Sequence, residues 1–136
     1  MNKILNLCVE RDEGSGKFGY KGYADIWAIK PKYDVAREFY DGLALVKLDG
    51  KWGYIKPDGS YAFDARFDNA SSFANGLAGV QINGKWGYID TSGNLVIEAR
   101  FDYAGPFLHD GVENEFAQVE YNGESGQIRR DGSWVI

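Results

Sequence analysis

Apolar and polar residues alternate along three short segments, residues 43–48, 77–82 and 116–121. Ala44, Val46 and Leu48 share one face of the first segment, and equivalent apolar residues share one face of the other two. The positions between them vary in polarity, as at Lys47, which is typical of a strand with one buried and one solvent-exposed face. The pattern therefore predicts three β-strands, and the more divergent segment 5–9 predicts a fourth.

A dipeptide typical of a tight hairpin turn follows each of the three clear strands. These dipeptides are Asp49-Gly50, Asn83-Gly84 and Asn122-Gly123. Both central residues of a type I′ turn have positive φ, which Gly, Asn and Asp adopt most readily. A second strand follows each turn, and a further turn with glycine leads to a third. Because the third strand is continuously apolar, as at residues 95–97, we expect it to be buried on both faces.

The hairpins recur with a period of 34 residues. The copies are marked by the glycines Gly19, Gly53, Gly87 and Gly126. An aromatic residue followed by aspartate then recurs at a fixed distance, as Tyr33-Asp34, Phe67-Asp68 and Phe101-Asp102. A repeat of this length indicates one small unit that is copied and stacked.

The period predicts the fold class and its organisation. We expect an all-β protein, an array of four antiparallel three-stranded β-hairpin repeats of about 34 residues each in a single domain, residues 1–136. The approximate copies are 4–41, 42–75, 76–111 and 112–136. A unit of this length is short for a four-stranded propeller blade, so an open twisted stack is favoured over a closed, propeller-like ring.

The motif Gly-Lys-Trp-Gly-Tyr-Ile, at residues 50–55 and 84–89, resembles the signature of the WG-repeat family of bacterial β-repeat arrays. The resemblance covers about residues 16 to 136, and it implies an all-β array without a single activity. The outer copies depart from the motif: Lys21 replaces the isoleucine of the first, and residues 125–127 read Ser-Gly-Gln in the last. A tryptophan and a tyrosine without a following copy would be exposed, so the last departure predicts a capping repeat.

The tryptophans fall in repeat register. They are Trp27, Trp52, Trp86 and Trp134. Regular placement predicts packing in the core or between repeats, where large aromatic side chains bury most area, rather than a platform for sugar rings. In particular, we expect Trp52 and Tyr54 to be buried against the third copy.

An aligned series of aspartates lies in the connections between copies. The series is Asp34, Asp68 and Asp102, and each aspartate is preceded at two residues' distance by Lys32, Arg66 or Arg100. A row of carboxylates could bind calcium or hydrolyse glycosides. An aspartate in a connection more commonly accepts backbone N–H groups, and no second carboxylate adjoins any of the three. We therefore expect a structural role, with each aspartate paired to its basic neighbour.

Composition and motifs argue against catalysis. The net charge of -5 disfavours nucleic acid, and no apolar stretch is long enough for a membrane. A lone cysteine, Cys8, and an N-terminus unlike a signal peptide predict a cytoplasmic protein. The single histidine, His109, is distant from Cys8 in sequence, and no phosphate-binding or catalytic motif is present. We expect no enzymatic activity, no cofactor and no metal.

Two acidic insertions break the period. The residues that they contribute are Asp110, Glu113 and Glu115 in the last copy, and Glu10, Asp12 and Glu13 in the first hairpin. Insertions in repeats often lie on the binding face. Neutral variation explains them equally well, because longer loops cost little entropy. If they bind a ligand, they fit a basic partner.

These observations favour a non-catalytic protein-binding module. Free-standing WG-repeat proteins resemble components of bacterial toxin–immunity systems, which implies an inhibitor or immunity protein for a basic partner such as a toxin. The alternative is a carbohydrate or cell-envelope binding module that uses the exposed aromatic residues Tyr40, Tyr103 and Trp134. The sequence leaves the oligomeric state open.

Overall fold

The computed structural model describes residues 6–64, 66–109 and 115–135. In these ranges the strands form four small antiparallel sheets. Sheet 1 contains β1 (Cys8–Arg11), β2 (Phe18–Lys21) and β3 (Trp27–Tyr33), and sheet 2 contains β4 (Val35–Tyr40), β5 (Leu43–Leu48) and β6 (Lys51–Ile55). Sheet 3 contains β7 (Asn69–Ala70), β8 (Leu77–Ile82), β9 (Lys85–Asp90) and β10 (Leu95–Phe101), and sheet 4 contains β11 (Tyr103–His109), β12 (Glu115–Tyr121) and β13 (Glu124–Arg129).

The predicted all-β array of antiparallel repeats is confirmed. No sheet within the described ranges closes into a barrel or ring, so the open arrangement is the observed one. The helical content of these ranges is a single 3₁₀ turn at Tyr23–Asp25, and no helix there could cross a membrane.

The predicted hairpin turns have the expected backbone conformation. Asn83 and Gly84, for example, have φ of 51° and 85°. Two further turns of this kind, Asp41-Gly42 and Asn75-Gly76, each precede the first strand of a predicted copy. They join β5 and β8 to an additional strand before each, β4 and β7, and β11 is an additional strand that pairs with β12 in the same way. We call these the lead strands, and they pair with β5, β8 and β12.

The prediction that the third strand is buried on both faces is wrong. Leu95 and Val96 of β10 are 48% and 46% exposed, and Ile97 is the buried residue of that run. The cause is the strand order β10-β9-β8-β7, which places the third strand at the edge of its sheet. By contrast, β5 and β8, which lie inside their sheets, are covered on both faces over their first four residues.

The sheets stack on one another, and a separate apolar cluster lies between each successive pair. In β5, Ala44 and Val46 belong to the cluster shared with sheet 1. The alternate residues Leu43 and Leu45 belong to the cluster shared with sheet 3. Residues 43–46 are therefore buried on both faces, which corrects the predicted solvent-exposed face over that part of the strand.

In sheets 2 and 3, the Trp-Gly-Tyr-Ile motif connects the sheet to both of its neighbours. Tyr54 lies in the cluster with sheet 3, whereas the next residue, Ile55, lies in the cluster with sheet 1. Tyr88 and Ile89 repeat this division one sheet further on. Because adjacent residues of a strand point to opposite faces, one short motif holds the stack together in both directions.

Each motif tyrosine also donates a hydrogen bond to the following sheet. The hydroxyl-to-carbonyl distances are 2.7 Å for Tyr20 to Arg37, 2.6 Å for Tyr54 to Ser71 and 2.6 Å for Tyr88 to Gly105. Arg37 and Gly105 lie where the pairing register of β4 and β11 shifts. At a bulge, the carbonyl of the extra residue has no hydrogen-bond partner on the neighbouring strand, and the tyrosine hydroxyl donates to it instead. Burial raises the pKa of all three tyrosines above its ordinary value.

The motif glycine allows the third strand to approach. A Cβ atom on Gly87 would lie 2.5 Å from the carbonyl oxygen of Ile97 and would clash with the backbone of β10. On Gly53 it would lie 2.8 Å from the ring of Tyr61. The motif glycine is therefore closely approached by a backbone in one sheet and by an aromatic ring in the other, and a side chain at this position would clash with both.

The two departures from the motif lie on the outer faces of the end sheets. Lys21 occupies the isoleucine position in sheet 1, and Gln127 occupies the tyrosine position in sheet 4. Neither position has a neighbouring sheet to contact within the described chain. Ser125 and Gln127 are exposed, as a capping repeat requires.

The predicted packing of the motif aromatics is confirmed in sheets 2 and 3. Tyr54 is fully buried against sheet 3, with half-buried Trp52 beside it in the same cluster. Trp86 is 8% exposed and belongs to the cluster between sheets 3 and 4. Trp27 is half-buried, and Trp134 retains 40% exposure.

Candidate functional site

The aligned aspartates pair with lysines of the repeat motif. Lys17 Nζ lies 2.5 Å from Asp34 Oδ1 and Lys85 Nζ lies 2.7 Å from Asp102 Oδ1, and Lys51 pairs with Asp68 in the same way. The basic residues that we expected to pair with them have other contacts. Lys32 lies over the ring of Tyr33, Arg66 donates to the carbonyls of Phe63 and Asp64, and Arg100 donates to that of Gly132.

These ion pairs join consecutive sheets. Asp102 accepts from Lys85 of sheet 3, and its second oxygen accepts from the backbone N–H of Gly123, 3.4 Å away in the hairpin turn of sheet 4. The hydrogen bond with Lys85 and that with Gly123 hold the pKa of Asp102 below its ordinary value of 3.8. The contacts support a structural role for the aspartates.

Replacing Asp102 with Asn is expected to make stability less dependent on pH. A carboxyl group with a lowered pKa in the folded state stabilises the fold above the unfolded-state pKa, and this stabilisation is lost as the pH falls through the folded-state pKa. Between neutral pH and about pH 3, the wild type should therefore lose more stability in urea unfolding than Asp102→Asn. Glu120→Gln removes an exposed carboxylate that makes no side-chain hydrogen bond within the described residues, and should behave as wild type. Equal slopes for wild type and Asp102→Asn would contradict the prediction.

The predicted acidic residues of the last copy are only partly described. Asp110 and Glu113 lie outside the described residues. Glu115 opens β12, and its Oε1 accepts from Arg130 Nη1 at 2.6 Å. The same arginine atom donates to the carbonyl oxygen of Asn75 at 2.5 Å. Glu115 is therefore held in an ion pair that contacts sheet 3.

The acidic residues of the first hairpin have different surroundings. Glu10 is exposed in β1, with Oε2 at 3.7 Å from Lys21 Nζ. Asp12 accepts from the backbone N–H and the hydroxyl of Ser15, at 3.0 and 2.8 Å, which lowers its pKa and fixes the turn. Glu13 is exposed at the tip of this turn.

The structure does not bring the two acidic groups together. Turns along an antiparallel meander alternate between the two ends of its strands. The first hairpin turn lies at the end that carries Asp49-Gly50 in sheet 2, whereas Glu115 lies at the opposite end, beside Asn75. Glu115 belongs to sheet 4, whereas the first hairpin belongs to sheet 1, so the acidic residues that the structure describes do not share one site.

An open groove of about 450 Å³, which the sequence patterns above do not predict, lies among the lead strands. Tyr40 of β4 and Pro106 of β11 border it, and its floor includes Ser71, Ser72 and Ala74. The groove exists because β7 has two residues, whereas β4 has six and β11 has seven.

Small residues in one copy signal the groove. One period before and after Ser72, the chain has Glu38 and Pro106, and around Ala74 it has Tyr40 and Leu108. Tyr40 is 51% exposed and Leu108 is 60% exposed, so large side chains rise on both sides of small ones. Comparison of the copies position by position would have identified this site.

A second open pocket, also of about 450 Å³, lies at sheet 4. Trp134 and Tyr121 meet there edge to face with centroids 5.9 Å apart, and each is 40% exposed. Glu124 and Gln127 supply polar groups at its wall. The predicted exposure of the three aromatic residues is confirmed, at 51% for Tyr40, 48% for Tyr103 and 40% for Trp134.

Titratable groups with shifted pKa values have structural explanations. They are aspartates held by ion pairs or turns, Lys17, whose pKa is raised by its hydrogen bond with Asp34, and tyrosines buried between sheets. Burial raises the pKa of Tyr33 to about 12, and its hydroxyl has no hydrogen-bond partner among the described residues. In the same ranges, no group of three or more His, Cys, Asp or Glu side chains could hold a metal ion.

Stacked antiparallel sheets joined through a repeated Trp-Gly motif define a β-repeat protein. The family model for the WG containing repeat matches three consecutive segments, residues 27–52, 52–86 and 86–124. The chain belongs to this family, as the motif indicated. Comparison of the sequence with curated proteins finds no match.

Proposed function

We propose that this protein is a non-catalytic protein-binding module and that the groove among the lead strands contacts its partner. The observation that carries the proposal is the groove bordered by Tyr40 and Pro106. The small residues that open this groove occur in a single copy of the repeat, so the repeat architecture by itself does not require it. Exposed apolar side chains around a recessed floor can hold an apolar anchor residue of a partner, and such anchors dominate binding energy.

The charge near the groove favours a basic partner. Asn75 lines the groove and is joined through Arg130 to Glu115, which ends the acidic insertion. Asp110 and Glu113 belong to the same connection between β11 and β12. Because the chain has a net charge of -5, its charge complements that of a basic partner. This complementarity would speed the association with such a partner and exclude acidic proteins. An inhibitor or immunity protein for a basic toxin in the cytoplasm is the form of this function that the family resemblance suggests.

Filling the groove should abolish partner capture. In Ser72→Trp, the indole occupies the space between Tyr40 and Pro106. Ser92→Trp is the matched control, because Ser92 is exposed in the turn between β9 and β10. Both variants and the wild type are used as bait in native cell extract, and captured proteins are identified by mass spectrometry. We expect a partner that the wild type and Ser92→Trp retain and Ser72→Trp loses.

Capture of the same proteins by all three baits would exclude the groove. Once a partner is known, Asp110→Lys with Glu113→Lys should slow its association by about tenfold or more at low salt. Glu115 is left unchanged in this variant because its loss would free Arg130 from an ion pair.

Carbohydrate binding is the second candidate, and the pocket at Trp134 supports it. A half-exposed indole beside a tyrosine, with Glu124 and Gln127 at the wall, suits the apolar face and hydroxyls of a sugar ring. A glycan array would test it. Binding that Trp134→Ala removes and Ser72→Trp leaves intact would place carbohydrate recognition first.

A further inference from the structure

The edge of sheet 3 that borders the groove is less protected than the corresponding edges of its neighbours. The lead strands β4, β7 and β11 each lie at one edge of their sheet. Exposed Arg37 and Glu38 occupy the bulge of β4, and exposed Pro106 occupies the bulge of β11. Charged side chains and proline keep an edge strand from pairing with another chain. In sheet 3 the same positions are Ser71 and Ser72, which provide neither.

Backbone groups of Phe73 point from this edge into the groove. Ala74 and Leu77 exchange both of their backbone hydrogen bonds, with N···O distances of 3.0 and 3.2 Å. In an antiparallel pair, the residue next to such a position directs its N–H and C=O away from the neighbouring strand. Phe73 is that residue, and it lines the groove. Its N–H and C=O therefore point away from β8 and towards the groove.

These two groups have no hydrogen-bond partner in the part of the chain that the structure describes, although Phe73 is only 2% exposed. In sheet 4, the equivalent carbonyl of Phe107 accepts from the side-chain amide of Asn75 at 2.7 Å. The residue equivalent to Asn75 one period earlier is Asp41. Its carboxylate cannot donate, and it accepts from the N–H of Gly76 at 2.8 Å instead. The carbonyl of Phe73 is therefore left without the amide donor that its equivalent has.

An extended peptide supplies the groups that this edge lacks. Buried backbone N–H and C=O groups are nearly always paired. A strand added to a sheet edge offers both a donor and an acceptor at every second residue. Its successive side chains point to opposite sides of the sheet, here towards Tyr40 and towards Pro106. Because both walls are apolar, the groove fits two adjacent apolar residues of such a strand.

Charge at one end of the groove favours a basic strand. Asp41 is exposed and lines the groove. Within the described ranges its carboxylate accepts from Gly76 and is paired with no cation. A Lys or Arg near one end of the bound strand would complement this carboxylate.

We propose that the groove binds an extended, basic segment of a protein partner as an additional strand at the edge of sheet 3, hydrogen-bonded to the N–H and C=O of Phe73. Main-chain hydrogen bonds hold the segment, and the two apolar walls select its side chains. This inference rests on the proposed function, because it assigns a conformation and a chemistry to the segment that occupies the same groove.

Selection from random linear dodecapeptides displayed on phage, with the full chain immobilised, tests the occupant. We expect enriched peptides with two adjacent apolar residues and a Lys or Arg. Synthetic copies should bind wild type and Ser92→Trp, and Ser72→Trp should weaken binding by about tenfold or more. Enrichment of no peptide, while a captured protein partner is still lost in Ser72→Trp, overturns the added strand and leaves the groove as the partner site. Peptide binding and protein capture that are both unchanged in Ser72→Trp overturn both proposals.

Methylation of single backbone nitrogens in an enriched peptide tests the hydrogen bonds. Each methyl group removes one donor and leaves the side chains unchanged. Alternate N–H groups of an added strand face the sheet, so affinity should fall by about tenfold or more at every second residue across the groove and change less between them. A peptide that binds in the groove without this period of two overturns the added strand.

Nuclear magnetic resonance of the complex identifies the edge that is used. The amide proton of Phe73 should shift downfield when the peptide binds, because it gains a hydrogen bond. Ala74 is the internal control, since its N–H already donates to Leu77. An unchanged amide proton of Phe73, or an equal shift of both residues, overturns the proposed pairing.

Discussion

Ile89→Lys is expected to lower the free energy of unfolding by about 3 kcal/mol or more. Ile89 is 2% exposed and lies in the cluster between sheets 2 and 3, beside Ala78 on the neighbouring strand. An ammonium group there would lose its hydration without a carboxylate in the cluster to pair with. Guanidinium unfolding, followed by circular dichroism, measures the loss. A decrease below about 1 kcal/mol would contradict burial of this position between the sheets.

Tyr88→Gln is expected to cost about 3 kcal/mol or more for a different reason. Tyr88 is fully buried, its ring packs against that of Phe107 at 4.9 Å, and its hydroxyl donates to the bulge carbonyl of Gly105. Glutamine fills less of this space and brings a buried amide. The same unfolding experiment measures the loss. Tyr88→Phe separates the contributions, since it retains the ring and should cost about 1–2 kcal/mol. A Tyr88→Gln protein as stable as wild type would contradict the stacking through this side chain.

The repeat period was sufficient to predict the class of fold. Hairpin turns such as Asn83-Gly84 have a local cause, the cost of positive φ, and local causes can be inferred from sequence. The motif departures at Lys21 and Gln127 could also be interpreted, because a polar residue at an apolar repeat position indicates a face without a neighbour.

The lead strands were missed although the sequence marks them. Asp41-Gly42 and Asn75-Gly76 are turn dipeptides of the same kind as those that were used. The bulges in β4 and β11 disrupt the alternation of apolar residues, and β7 has only two residues, so these strands show no clear period. The turn dipeptides indicate the lead strands more clearly, because a hairpin turn before β5 or β8 requires a strand on the other side of the turn.

Burial of the third strand was predicted incorrectly because a continuous apolar run has two explanations. Ile97 is apolar because the turn of the following sheet packs on it, at 3.4 Å from the Cβ position of Gly132. Leu95 and Val96 lie at an exposed edge. Sequence alone does not distinguish burial between sheets from burial beneath a turn.

The pairing of Lys85 with Asp102 shows why part of the site was not predictable. The two residues are 17 positions apart, and they meet because one sheet ends where the next begins. Arg100 is nearer to Asp102 along the chain, but its guanidinium donates to the carbonyl of Gly132. The groove, in contrast, could be inferred from the sequence, since Ala74 is small where the neighbouring copies have Tyr40 and Leu108.

In the stack, the tyrosine of the motif contacts the following sheet and the isoleucine contacts the preceding sheet. Two exchanges of residues between sheet 3 and the end sheets, measured together, test this arrangement most directly. Ile89→Lys and Tyr88→Gln place the end-sheet residues in sheet 3, whereas Lys21→Ile and Gln127→Tyr place the motif residues in the end sheets. In guanidinium unfolding of dilute protein, we expect losses of about 3 kcal/mol or more for the first two and changes within about 1 kcal/mol for the last two. Similar changes in all four variants would contradict the assignment.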